Sequence, residues 1–309
     1  MRGDALRATV VVPVLDLDLR ALVEALRAQT IGVERFEVII ADDGSTAPLG
    51  IVPEQGWLRI ETAPHVNSYA ARNRAARLAQ ADVLAFCDSD CRPEPDWLER
   101  GIAALENGAE LAAGEVFPDA PPRVTAWALL DADEALNPGR AVAEQHVVTA
   151  NLFVRRVAFE RLGGFDEELP SGGDFDFAER AVGAGERLVL APEAIVRHPT
   201  VYAAVPYLRR AWFRDRSLAV RRISDRRFAL LAHLPKLFPL LGPLWARARL
   251  GRPLGLDSTR ILWATGGVTR RRTVAAALAL RYLVLPYVTA AAYLPFLPIA
   301  HYARSRSAT

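Results

Sequence analysis

The chain has 309 residues, 51% of them hydrophobic and 24% charged, with a formal net charge of +2. That length suits one large domain or two modest ones, and the composition excludes a disordered or collagen-like chain. Two cysteines exclude a disulfide-stapled scaffold. The small net charge hides a division. Residues 1–200 carry 19 basic and 33 acidic side chains, a balance of −14, whereas residues 201–309 carry 19 basic and 3 acidic ones, a balance of +16. An acidic body and a basic tail imply two kinds of partner.

The first residues, Met1 to Thr9, hold no apolar stretch before a cleavage site, so no secretory leader is expected. Thr9 to Val14 (TVVVPV) is a β-branched run that reads as a buried strand. Leu19 to Gln29 spaces Leu19, Leu22, Val23 and Leu26 at helical intervals. Phe36 to Ala41 (FEVIIA) is a second strand, ended by Asp42-Asp43-Gly44-Ser45, and Leu58 to Glu61 is a candidate third. Tyr69 to Gln80 is an alanine-rich helical segment, and Val83 to Cys87 (VLAFC) is a strand ended by Asp88-Ser89-Asp90. Strands alternating with helices predict an α/β fold with a mainly parallel sheet flanked by helices. Ligands of such sheets gather beyond the carboxyl ends of the strands, where both acidic clusters fall.

Those acids support specific chemistry. Asp88 and Asp90 leave an apolar strand into a loop, and hard cations such as Mg²⁺ or Mn²⁺ take oxygen ligands of this kind. A solvated turn accounts for D-x-D equally well, and Asp42-Asp43 also reads as turn-capping residues. Cys87 and Cys91 have no companion cysteines or nearby histidines at zinc spacing and read as reduced thiols.

The order of motifs adds what no single motif carries. DDGS after a strand is followed by Ala71-Arg72-Asn73, then DSD after a strand, then Gly163-Gly164-Phe165-Asp166 and Gly172-Gly173-Asp174-Phe175-Asp176. In this order the chain resembles the family 2 glycosyltransferases over roughly residues 8–200. The resemblance implies a GT-A fold, a sugar-nucleotide donor (UDP- or GDP-linked), Mn²⁺ or Mg²⁺, and inversion at the anomeric carbon. It further implies nucleotide contacts from Pro13, Asp42, Asp43, Arg72 and Asp88, and metal ligation by Asp90 with Asp88. Asp174 falls at the catalytic base, which an inverting transfer needs to deprotonate the attacking hydroxyl. Asp176 and Gly164 are expected in acceptor-orienting or structural roles, and His198 as a further metal ligand or diphosphate contact. Capping of a helix running from Phe177 to Val182 is the plainer role open to Asp174 and Asp176. The chain departs from the family pattern in two places. Leu15-Asp16 stands where a Tyr-Asn pair is usual, and Gly173 replaces the acidic residue that usually precedes the base.

Beyond residue 200 the pattern changes. Val201, Val205, Leu208, Trp212, Ala219 and Ile223 project onto one helical face, with Arg209, Arg210, Arg214, Arg216 and Arg221 elsewhere, as suits an anionic membrane interface. Phe228 to Ala246 and Tyr282 to Ala300 are long apolar stretches, but the prolines within them argue for embedded or interfacial helices over straight spans. The arginines alternate with aliphatic runs, not with a stacking platform, which speaks against nucleic acid. The expected organisation is therefore a catalytic domain over residues 1–200 and a basic, mostly helical, membrane-associated region over 201–309. The expected function is metal-dependent, inverting sugar transfer to a lipid-linked or other envelope glycan at the cytoplasmic membrane face. A degenerate membrane-attached scaffold and a nucleotidyltransferase are the alternatives.

Overall fold

The computed structural model describes residues 6–54, 56–134, 138–143, 145–169, 171–212 and 271–285. The strands are β1 (Ala8–Val14), β2 (Phe36–Asp42), β3 (Leu58–Thr62), β4 (Val83–Cys87), β5 (Arg92–Pro93), β6 (Leu111–Pro118), β7 (Asn151–Arg155) and β8 (Leu188–His198). The helices are α1 (Arg20–Arg27), α2 (Ser68–Arg77), α3 (Trp97–Glu106), α4 (Ala126–Glu134), α5 (Pro138–Ala143), α6 (Arg156–Arg161), α7 (Gly173–Gly183) and α8 (Arg271–Leu283). The chain divides into two compact units: Met1–Phe117 with Leu136–Pro199, and Pro118–Ala135 with Thr200–Thr309.

The first unit is built on an eight-stranded sheet in the order β3-β2-β1-β4-β7-β6-β8-β5. β1, β2 and β4 are buried along their whole length, which is why they read as unbroken apolar runs rather than alternating ones. Val10, Val12 and Val14 pack with Leu22, Val23 and Leu26 of α1 on one face. Val11 and Ile39 pack with Ala71, Ala75 and Ala76 of α2 on the other, where small side chains let that helix approach closely. Register then fixes the site. β1 pairs in parallel with β2, Val14 opposite Asp42, and with β4, Val11 opposite Phe86. The three strands therefore deliver their following loops to one edge.

The sheet is mixed, not mainly parallel. β3-β2-β1-β4 are parallel; β7 runs antiparallel to both β4 and β6, and β5 antiparallel to β8. β6 (LAAGEVFP) gives no periodic signal because small residues, glycine and proline interrupt it. β7 opens with a buried asparagine that holds this half together. Asn151 Nδ2 donates to the carbonyls of Glu115 and Ala194 at 2.8 Å each, and its Oδ1 accepts from Trp97 Nε1 at 2.8 Å. One side chain thus ties α3, β6, β7 and β8.

The second unit is helical in its described residues. Leu129, Leu130 and Ala132 of α4 pack with Tyr207 and Ala211, from the helical segment 204–212, and with Ala277 of α8. Asp131 is buried here, ion-paired with Arg210 and accepting from the Val201 N–H at 2.8 Å. Among the described residues no helix is long and apolar enough to cross a membrane. The amphipathic segment beyond residue 212, the apolar stretch 228–246 and most of 282–300 lie outside the described residues.

Replacing Asn151 with leucine leaves two carbonyls and an indole N–H buried without partners. The expected loss is about 2–4 kcal/mol of unfolding free energy, read as a lowered urea midpoint with the slope unchanged.

Candidate active site

Three groups of side chains meet the carboxyl edge of β1, β2 and β4. The first surrounds the DDGS loop. Asp42 Oδ1 accepts from the Ser45 N–H at 2.9 Å. Burial pushes its carboxyl up, but hydrogen bonds from Ser45 and Thr62 and the charge of Arg74 outweigh this and hold it below the ordinary carboxylate value. Asp43 is buried, with Oδ2 2.7 Å from His65 Nδ1 and Oδ1 accepting from the Val66 N–H at 3.1 Å. Asp16 closes the loop from the β1 side. Its φ is 52°, and its Oδ1 accepts from the N–H groups of Thr46 and Ala47 at 2.6 and 2.9 Å, while its own N–H donates to Ser45 Oγ at 2.9 Å. The Ala47 and Thr46 N–H groups draw the Asp16 carboxyl below its ordinary value. A left-handed backbone is tolerable in an aspartate that bonds locally. The departure from Tyr-Asn at this position thus supplies the clamp of the neighbouring loop. Pro13 lies buried in β1 opposite Ala41.

The second group is Arg72, Asp88 and Asp174. α2 begins at an Asn67 cap, whose Oδ1 accepts from the N–H groups of Tyr69 and Ala70 at 2.9 and 3.0 Å. One turn on, Arg72 is only 4% exposed. Its guanidinium forms an ion pair with Asp88 at the end of β4, and its Nε is buried without a hydrogen-bond partner among the described residues. Asp174 stands in the first turn of α7, half-buried, with Oδ1 accepting from the Phe175 N–H at 3.0 Å. Burial pushes its carboxyl up to about 6. The Phe175 N–H and Arg72 pull the other way, and the charge of Asp88 adds to the rise.

The third group is Asp90 and His198. Asp90 lies within a tight turn closed by the Cys91 N–H on the Asp88 carbonyl at 3.0 Å, and its Oδ2 lies 3.4 Å from His198 Nε2. His198 is the last residue of β8. An oxygen and an imidazole nitrogen at this spacing fit two positions on one divalent cation. Asp88 is turned toward Arg72 instead. Among the described residues no group of three or more His, Cys, Asp or Glu side chains is disposed to hold a metal ion. A cation here would draw its remaining ligands from substrate oxygens and water, as Mg²⁺ commonly does.

Asp176 does not join Asp174. It pairs with Arg180 at 2.7 Å, and Arg180 donates to the carbonyls of Leu162 and Gly164, stapling α7 to the loop after α6. The helix starts at Gly173, four residues before Phe177, behind a left-handed Gly172, and neither aspartate caps it. Gly164 has φ +71°, and a Cβ there would lie 2.7 Å from Asn73 Oδ1. Its absence lets Asn73 accept from the Phe165 N–H at 2.9 Å and donate to the Phe165 carbonyl at 2.7 Å. Trp97 and Phe165 are core residues. Cys87 and Cys91 are buried and unbridged; the hydrogen bond between them, then burial, raises the Cys91 thiol, the reverse of an activated thiolate.

The mixed sheet with flanking helices, and strand-end acids above its parallel half, has the form of a GT-A type α/β unit. Comparison with known proteins agrees: residues 9–163, half of the chain, match the family described as Glycosyl transferase family 2, and the chain belongs to that family. It is 31% identical over 201 residues to glycosyltransferase AglE of Haloferax volcanii, covering 62% of this chain and 66% of that protein. It is 32% identical over 207 residues to the pre-mycofactocin glycosyltransferase of Mycobacterium tuberculosis, covering 62% and 42%. With the glucosyl-dolichyl phosphate glucuronosyltransferase of H. volcanii it shares 29% over 167 residues, covering 49% and 52%. The chain thus spans less than two thirds of each relative's length.

Asp16, His65 and Tyr69 carry site contacts that the motif reading left unassigned. Asp16 had announced itself only as a departure from the family pattern, and His65 has no motif around it. In an Asp16→Ala variant the Thr46 and Ala47 amides should exchange with solvent at least about tenfold faster, measured by hydrogen exchange, because their acceptor is gone.

Proposed function

We propose that this protein is an inverting glycosyltransferase that moves a sugar from a UDP- or GDP-linked donor to a lipid-linked or other envelope glycan acceptor. The observation that carries the reading is the Arg72–Asp88 pair with Asp174 raised to about 6 in its field. A base matched to near-neutral pH is what removal of a hydroxyl proton requires. In the proposed reaction Asp174 takes that proton as the acceptor oxygen attacks the anomeric carbon. The bond to the nucleoside diphosphate breaks with inversion. Asp42 and Asp43, already ordered by Ser45 and His65, face the nucleoside, and the Arg72 guanidinium, held by Asp88, supplies positive charge near the diphosphate. Asp90 and His198 would hold Mn²⁺ or Mg²⁺, which when bound neutralises charge on the departing diphosphate.

The acceptor class draws on the relatives' names, one of which acts on a glucosyl-dolichyl phosphate. The membrane setting draws on the +16 balance of residues 201–309 and the apolar stretches among them. We place the reaction on the cytoplasmic side of the membrane, with no nucleic acid involved.

A binding panel of UDP-, GDP- and dTDP-sugars, with and without Mn²⁺, tests the donor site. Binding of one nucleotide class is expected, weakened about tenfold or more by Asp90→Ala in the presence of Mn²⁺. Failure of every nucleotide to bind would favour a scaffold, and release of pyrophosphate in place of a nucleoside diphosphate would identify a nucleotidyltransferase. The base has its own signature. kcat should fall about tenfold per unit below a pH of about 6, as Asp174 takes up its proton. Asp174→Asn should lower kcat about a thousandfold, leaving a measurable remainder, yet match or exceed wild-type Tm at pH 8. The sign follows from the raised carboxyl: ionising it costs the folded state stability as pH rises from the ordinary value of 3.8 through about 6, and asparagine escapes that cost. Wild-type transfer by Asp174→Asn would sink the assignment.

A further inference from the structure

Arg72 and Asp174 come from distant parts of the chain, and one side chain lies against Arg72 and against Gly173, the neighbour of Asp174. Tyr69, in the first turn of α2, is buried, its ring centroid 5.8 Å from that of Phe165. The Arg72 guanidinium carbon lies 5.9 Å from the Tyr69 ring centroid, within range of a cation–π contact. On its other side the ring meets the backbone of α7. A Cβ on Gly173 would lie 2.9, 2.9 and 3.0 Å from the three carbons at the hydroxyl end of the ring. The ring is buried beside Phe165, so a side chain at position 173 would force it to shift. The hydroxyl end of the ring lies against the first residue of α7, where N–H groups have no partner within the helix. Burial pushes the phenol up to about 12, and the Gly173 and Asp174 N–H groups pull the other way. α7 carries no side-chain cap of the usual kind.

We infer that Tyr69 is a positioning residue for the proposed transfer, its ring fixing Arg72 against Asp88 and its hydroxyl end fixing the head of α7, and with it Asp174. The inference deepens the functional reading above and rests on Asp174 being the base. It also gives Gly173 a reason: the ring of Tyr69 occupies the space that any side chain at 173 would need. A misplacement of a base by about 1 Å costs on the order of a hundredfold in rate, so a residue that only sets its place has a large effect on turnover.

The test uses the full chain with Mn²⁺, UDP-glucose and GDP-mannose as donors, and vesicles carrying a polyprenyl phosphate as acceptor. Tyr69→Phe keeps the ring and removes the oxygen. It should lower kcat about tenfold or more while leaving the donor KM within about twofold and the Tm nearly unchanged. On an Asp174→Asn background the same change should have no further effect, because a residue that acts through the base has nothing left to act on. Wild-type kcat in Tyr69→Phe overturns the inference, as does an equal loss on the Asp174→Asn background. Wild-type transfer by Asp174→Asn is a different failure, that of the base assignment beneath it. A measurement without turnover tests the contact itself: Gly173→Ala should lower Tm in the wild-type chain and much less in Tyr69→Ala, where the added methyl has room. Equal drops in the two backgrounds would show that ring and glycine are not coupled.

Discussion

A guanidinium keeps its charge at any pH a cell meets, so burying Arg72 obliges the surrounding structure to answer a fixed positive charge. The answer comes from three elements at once. Asp88 arrives from β4 as the direct partner, Tyr69 lays a ring beside it within α2, and Asp174 feels the charge from the head of α7. The geometry of β1, β2 and β4 matters because it brings the end of β4 to α2. The alanine face of α2 matters because it lets the helix sit close enough to the sheet for a buried arginine to reach that end. Desolvation raises Asp174 and Arg72 partly restrains the rise. The arginine therefore limits how far burial raises the Asp174 carboxyl.

Much of this was legible in the sequence, and the reasons are physical. β1, β2 and β4 are buried on both faces, so their apolar runs stand out, and the acids that end them mark the edge where the loops emerge. The spacing of Leu19, Leu22, Val23 and Leu26 describes α1 because a helix on a sheet must bury one stripe. The antiparallel half was not legible. β6 is written in alanine and glycine, and β7 begins with an asparagine whose worth lies in three partners remote in sequence. α7 was placed late because two glycines precede Asp174. Those glycines are required by a left-handed turn and by the ring of Tyr69, not by any wish to end a helix.

The motifs picked out the strand-end acids and missed the contacts that hold them. The acids of DDGS and DSD were found by type and position, but not that Asp43 is already engaged by His65 or that Asp88 is given to Arg72. Asp176 shares the spacing of Asp174 and none of its surroundings. Its partner Arg180 lies one turn along the same helix, a relation as ordinary as any on a helical surface. Such distinctions depend on which way side chains turn once the backbone is fixed. The two departures from the family pattern were better guides than the matches: Asp16 and Gly173 each mark a place where this chain solves a local problem with a different residue.

The segment Pro118–Ala135 leaves the first unit between β6 and α5 and is counted with residues that follow Pro199. Leu129, Leu130 and Ala132 of α4 find their cover in Tyr207, Ala211 and Ala277. The second unit is thus interleaved with the first along the chain, not appended to it. A polypeptide ended at residue 199 would keep every strand of the sheet but strip α4 of its packing and leave Asp131 without Arg210. During synthesis α4 emerges from the ribosome well before the residues that bury it. Recombination that trades one C-terminal region for another must therefore carry a matching internal segment, so the two pieces are constrained to evolve as one.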